Sequence, residues 1–111
     1  MSQQDILQTY RQKALALRVL QEQYARCDRS SDGGKLAEGL EVMMERHRKD
    51  LDALWPQVLA MLNNMDDPRM YLVIHAYYVL GQSLDDIAQQ LYVSYRTVSR
   101  WKKGFLDQLN G

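Results

Sequence analysis

The chain has 111 residues and a mass of 13.0 kDa, with 46 % apolar and 25 % charged side chains, which is the makeup of one globular domain and excludes collagen-like and wholly disordered chains. Its 14 basic and 14 acidic residues give a formal net charge of 0, which argues against a globally basic nucleic-acid coat or an acidic tail protein. A single cysteine, Cys27, excludes an intrachain disulfide framework and fits a reducing cytosol.

The pattern along the chain is helical throughout, with no period-2 alternation to support a strand. A first helix is predicted over 5–26, with Leu7, Tyr10, Ala14, Leu17 and Tyr24 on one stripe and Ser2 or Asp5 as cap. The glycine- and serine-rich stretch 27–34 marks a break or linker, so 1–34 reads as an N-terminal helix with its linker. Residues 35–111 read as the helical domain proper. A second helix is expected over 35–64, with a stripe of Leu36, Leu40, Met43 or Met44, Leu51, Leu54 or Trp55, Val58 or Leu59, and Leu62. Pro56 removes one backbone donor inside it, which predicts a kink or break near Leu54.

Asp67 followed by Pro68 is a helix start. The third helix is predicted over 68–80, with Met70, Tyr71, Ile74, Tyr77 and Tyr78 inward and Gly81 as its left-handed end. Ser83 caps a short fourth helix ending near Leu91, and Asp85 and Asp86 sit at the positive end of its dipole. Tyr92-Val93-Ser94 is the turn, and Ser94 caps a fifth helix running to about Leu109.

Two helices joined by so short a turn make a helix-turn-helix, placed at 83–109. Ile87, Ala88, Leu91, Val93, Val98 and Trp101 fill the positions where the two helices must touch, and Ala88 is the small residue at the close approach. Val98, Trp101, Phe105 and Leu109 face inward at helical spacing, which turns Arg96, Ser99, Arg100 and Lys103 outward. Arg96, Arg100, Lys102 and Lys103 fall within eight residues that hold no acid. Salt screens each charge beyond about 8 Å, so a local cationic face attracts a polyanion even on a neutral protein. Such a helix suits the major groove of duplex DNA. The candidate DNA-binding residues are Ser94, Tyr95, Arg96, Thr97, Ser99, Arg100, Lys102 and Lys103. Tyr95 is placed to touch a phosphate or a thymine methyl, and Lys102, on the flank, to meet backbone phosphate.

The run Tyr78-x-x-Gly81-x-Ser83-Leu84-Asp85-Asp86-Ile87-Ala88-x-x-Leu91-x-Val93-Ser94-x-x-Thr97-Val98 resembles region 4 of bacterial sigma factors of the sigma-70 class. In size and layout the chain is also similar to small phage transcriptional regulators of the RinA and ArpU type. That resemblance implies an all-α fold in which a sigma-like helix-turn-helix follows two longer helices. It also implies a regulator of late phage genes that works with RNA polymerase. Where many helix-turn-helix sequences have a glycine in the turn, this chain has Tyr92, which must then take a left-handed or other unusual conformation.

Competing readings accompany these. A helical hairpin that only packs, a protein-interaction module, or a small terminase-like DNA-recognition subunit would share the same helices. An enzyme is not expected, because no phosphate-binding glycine loop, nucleophile elbow or paired histidine–carboxylate constellation is present. Ser83 and Ser94 are accounted for as caps. His47, His75 and Cys27 lack partners at metal-ligand spacing, so neither a metal nor a cofactor is expected. No apolar run approaches the roughly 18 residues of a membrane helix, and Met1-Ser2-Gln3-Gln4-Asp5 does not read as a signal peptide, so the expected location is the cytoplasm. A first helix of this length gains little alone. It is expected to fold back on the second helix or to pair with another chain, most simply as a homodimer.

Overall fold

A computed structural model describes residues 2–27 and 34–110, the side chain of Asn110 excepted. Among them there are helices and no strand: α1 Gln3–Arg26, α2 Lys35–Asn63, α3 Pro68–Ile74 continued by a π-helical turn His75–Val79, α4 Leu84–Leu91 and α5 Tyr95–Asn110. Residues 28–33, most of the predicted linker, lie outside the described residues.

Ser2 starts α1 with a reciprocal cap. Its hydroxyl accepts from the Asp5 backbone N–H at 3.1 Å, and the Asp5 carboxylate accepts from the Ser2 N–H at 3.4 Å. Two donors that a helix start leaves open are thereby satisfied. α1 then runs antiparallel to α2: Tyr24 donates to Glu41 at 2.6 Å, Lys13 pairs with Asp50 at 3.0 Å, and Leu7 packs in the cluster that holds Val58 and Leu62. The first helix therefore folds back on the second.

Pro56 does not break α2, which continues from Lys35 to Asn63 through it. Proline removes one donor, opposite the carbonyl of Asp52. Asp52 and Pro56 both lie on the exposed side, where water can take that bond, while Trp55, Val58 and Leu62 on the other side pack into the core. The predicted stripe of α2 was too wide. Leu36, Met43 and Leu59 are exposed, and Ala37, Leu40, Met44, Val58, Met61 and Leu62 are buried. One partner helix along the first half of α2 covers only a narrow strip.

Asp67 caps α3 by accepting the Arg69 N–H at 2.9 Å. That bond first, and then the Arg69 side chain, holds the Asp67 carboxyl below the ordinary range. The single helix predicted over 68–80 is instead an α-helix that widens into a π turn, closed by the Leu80 N–H donating to the His75 carbonyl at 3.1 Å. The extra residue in the wide turn rotates the register, as π turns do. Tyr78 thereby comes into line with Met70 and Ile74 and is 1 % exposed, whereas Tyr71 stays at the surface. Gly81 ends the segment at φ +71°, and the Gln82 N–H returns to the Ala76 carbonyl at 3.0 Å, a left-handed stop that favours glycine.

The main core joins Ile6 and Leu7 of α1, Val58 and Leu62 of α2, Val73, Ile74 and Tyr78, Ile87 and Ala88 of α4, and Val98, Phe105 and Leu106 of α5. The sequence placed a boundary at 34. In the structure α1 contributes to the core of the C-terminal helices as well as to α2. A second, smaller cluster of Leu20, Leu40 and Met44 closes the far end of the α1–α2 hairpin. The molecule is elongated, 51 × 30 × 17 Å.

Candidate nucleic-acid interface

The α4–turn–α5 unit is fixed at each joint by its own sequence. Ser83 accepts the Asp86 N–H at 3.1 Å, and Ser94 accepts the Thr97 N–H at 3.1 Å. Between them α4 ends on Tyr92 at φ +57°, and the Val93 N–H donates to the Ala88 carbonyl at 3.0 Å. The tight turn is thus made by a left-handed tyrosine rather than by a glycine. Its side chain is 96 % exposed, so nothing in the fold holds it there by packing.

On α5, Val98, Phe105 and Leu106 are buried, with Trp101 and Leu109 partly buried against the same core. Leu106 was not among the predicted inward residues; it flanks the line that the 3.6-residue period draws through Val98 and Phe105. The opposite face carries Arg96, Arg100 and Lys103, all exposed. Among the described residues no acidic side chain pairs with any of the three. Tyr95 stands half-exposed at the helix start.

The other predicted residues are placed differently. Thr97 is partly buried, with its hydroxyl 2.8 Å from that of Ser94, so both oxygens are engaged at the cap. Ser99 is partly buried on the flank. The Lys102 ammonium, rather than standing free, lies 4.3 Å from the centroid of the Tyr77 ring and 5.8 Å from that of Tyr78, close enough for a cation–π attraction. Arg69 of α3, which the motif did not single out, has its guanidinium 5.5 Å from the Trp101 ring and carries positive charge beside α5. An arginine directly after a helix-starting proline is too common a pattern to reveal that.

A second constellation fixes how α5 is presented. Arg11 of α1 donates to the carbonyls of Tyr77 and, at 3.2 Å, of Gln82, and its guanidinium lies 3.8 Å from the Tyr77 ring centroid. Arg18 donates to the Leu80 carbonyl at 2.6 Å. These carbonyls belong to the π turn and the loop before α4, the end of a helix that leaves acceptors open. Charged donors make the stronger hydrogen bonds there. Tyr77 thus touches Arg11 of the first helix and Lys102 of the last. Burial first, then the neighbouring Tyr77, pushes the Tyr78 phenol up to about 12, so Tyr78 is a neutral packing group.

Among the described residues no group of three His, Cys, Asp or Glu side chains is placed to hold a metal ion, and no helix is long and apolar enough to cross a membrane.

Comparison with known proteins agrees with this geometry where it reaches. The model of a family described as a homeodomain-like domain matches residues 69–110, the stretch that holds α3, the π turn, α4 and α5. No curated protein matches the chain, and no solved structure does. The C-terminal part is therefore a helix-turn-helix domain of the DNA-binding kind, carried on a wholly helical scaffold.

Proposed function

We propose that the chain is a sequence-specific, double-stranded DNA-binding transcriptional regulator that lays α5 in the major groove. The observation that carries this reading is the exposed row of Arg96, Arg100 and Lys103 on a capped helix whose other face is locked into the core. Arginine donates two parallel bonds to a guanine edge, and lysine meets phosphate as a point charge. Arg96 and Arg100 are assigned to base edges, Lys103 to the backbone, and Tyr95 to a phosphate or a thymine methyl.

The finer reading is regulation of late phage genes in concert with RNA polymerase. It rests on the sigma-like run from Tyr78 to Val98 and on the two long helices before it. A homodimer belongs to the same reading, since a two-fold pair offers two recognition helices to half-sites about one DNA turn apart. α1 is engaged with its own α2 and core, so that pair has to use other surface. The role is that of a binding protein of the cytoplasm, not of an enzyme.

Selection of a duplex from a randomised library, followed by binding of Arg100→Ala to the selected and to a mixed-sequence duplex, tests the assignment. The expected loss is about 1–3 kcal/mol on the selected duplex, with relaxed choice at one base pair. Equal losses on both duplexes would remove Arg100 from base reading. A large ring in sedimentation would favour the terminase-like alternative, and absence of duplex binding would favour an interaction module.

A further inference from the structure

Two residues of the helix-turn-helix are the opposite of what the fold would choose. At residue 92 the backbone is left-handed, φ +57°, a conformation that glycine takes freely and a bulky aromatic residue resists. Tyrosine stands there, 96 % exposed, so it recovers nothing by packing. At residue 104 the backbone is inside α5, with six helical residues still to follow, where alanine is the best residue and glycine among the worst. Glycine stands there, and a Cβ built on it meets no atom within 4 Å. The chain has therefore placed its side chain where the fold favours none and omitted one where the fold has room.

Neither choice has a cause inside this chain. Tyr92 closes the turn two residues before the Ser94 cap of α5. Gly104 lies one helical turn beyond Arg100 and next to Lys103, on the outward row of α5. Glycine in a helix with open space around it is what a close approach by another molecule requires. An aromatic phenol held out in solvent against its backbone preference fits contact with a partner.

We infer that Tyr92 and Gly104 are DNA-contact positions: Gly104 is where the groove passes closest to α5, and the Tyr92 hydroxyl donates to a backbone phosphate. The inference rests on the DNA-binding reading above, and it adds two residues that the basic pattern does not include. The conformational cost is the second, independent mark, since exposed basic residues on a helix carry no such cost.

The test sets stability against binding in the intact chain. Tyr92→Gly and Gly104→Ala should each raise the melting temperature by roughly 2–5 °C, because each restores the residue the backbone favours. Each should also weaken binding to a duplex selected by the wild-type protein, by about tenfold for Gly104→Ala, where one methyl intrudes on a packed interface. Tyr92→Phe should weaken the selected and a mixed-sequence duplex alike, since a phosphate contact carries no sequence information. Gly104→Leu should lose more binding than Gly104→Ala. A rise in melting temperature with unchanged binding would overturn the inference for that residue, and so would a fall in melting temperature, which would mean that the residue serves the fold. Failure of the wild-type protein to bind any duplex would overturn the DNA reading itself and this inference with it.

Discussion

The two ends of the α1–α2 hairpin differ in what they pack against. At one end Ile6 and Leu7 enter the core shared by α3, α4 and α5, and Leu7, Val58, Val73, Ile74 and Val98 are wholly excluded from solvent. At the other end Leu20, Leu40 and Met44 make a cluster of three, with Leu17 and Tyr24 beside it and with Val19, Leu36, Val42 and Met43 exposed around it. The first end ties the N-terminal helix to the helix-turn-helix, and the second holds only the hairpin to itself. A helix of α1's length is marginal without such tertiary contacts, so stability should fall from the DNA-binding end outward.

The largest expected effect probes that gradient. Leu7→Ala should lower global stability by about 2–5 kcal/mol, read as a shift of the denaturant midpoint. Leu20→Ala should shift that midpoint less and should show mainly as faster amide exchange around residues 20 and 40. Equal shifts would erase the distinction between the two ends. Next comes the clamp. Arg11→Ala should lower stability by about 1.5–3 kcal/mol, because the charged bonds to the Tyr77 and Gln82 carbonyls are lost. Arg11→Lys should recover only part of this, since one ammonium cannot reproduce the fork.

Tyr78 supplies a pH test of the same core. Its folded phenol titrates at about 12, and an unfolded one at about 10. The stability it contributes is complete below pH about 10 and is lost as the pH rises toward about 12. Tyr78→Phe should flatten that alkaline fall in a urea titration. Ser94→Ala should lower stability by about 1 kcal/mol through loss of the cap to Thr97. The smallest effect separates two lysines of α5. Lys103→Ala should reduce the salt slope of DNA binding by about 1, and Lys102→Ala by less, because its ammonium is drawn to the Tyr77 ring.

What was legible in the sequence was local. Ser83 and Ser94 as caps, Gly81 as a left-handed stop, and Ile87, Ala88 and Val98 as the inner contacts all follow from spacings of a few residues. The structure places each of them so. The left-handed turn was visible as a demand on Tyr92, and the backbone meets it. What was not legible depends on distant parts of the chain. Arg11 and Arg18 look like ordinary surface cations of an amphipathic helix, and only the fold brings them to the carbonyls of residues 77, 80 and 82. Pro56 reads as a break until its exposed side is known. Lys102 reads as a phosphate contact until Tyr77 is found beneath it. The π turn at 75–79 has no period of its own, and Tyr71 and Tyr78 exchange roles because of it.

The most direct test of the central claim, that the outer face of α5 binds DNA, is fluorescence anisotropy of a labelled duplex titrated at several salt concentrations. Wild type would be compared with the Arg96→Ala/Arg100→Ala double variant, with circular dichroism confirming that both fold. The account predicts salt-steep binding by the wild-type chain and its loss in an equally folded variant. Binding by the folded variant that matches wild type in affinity and salt slope would contradict it.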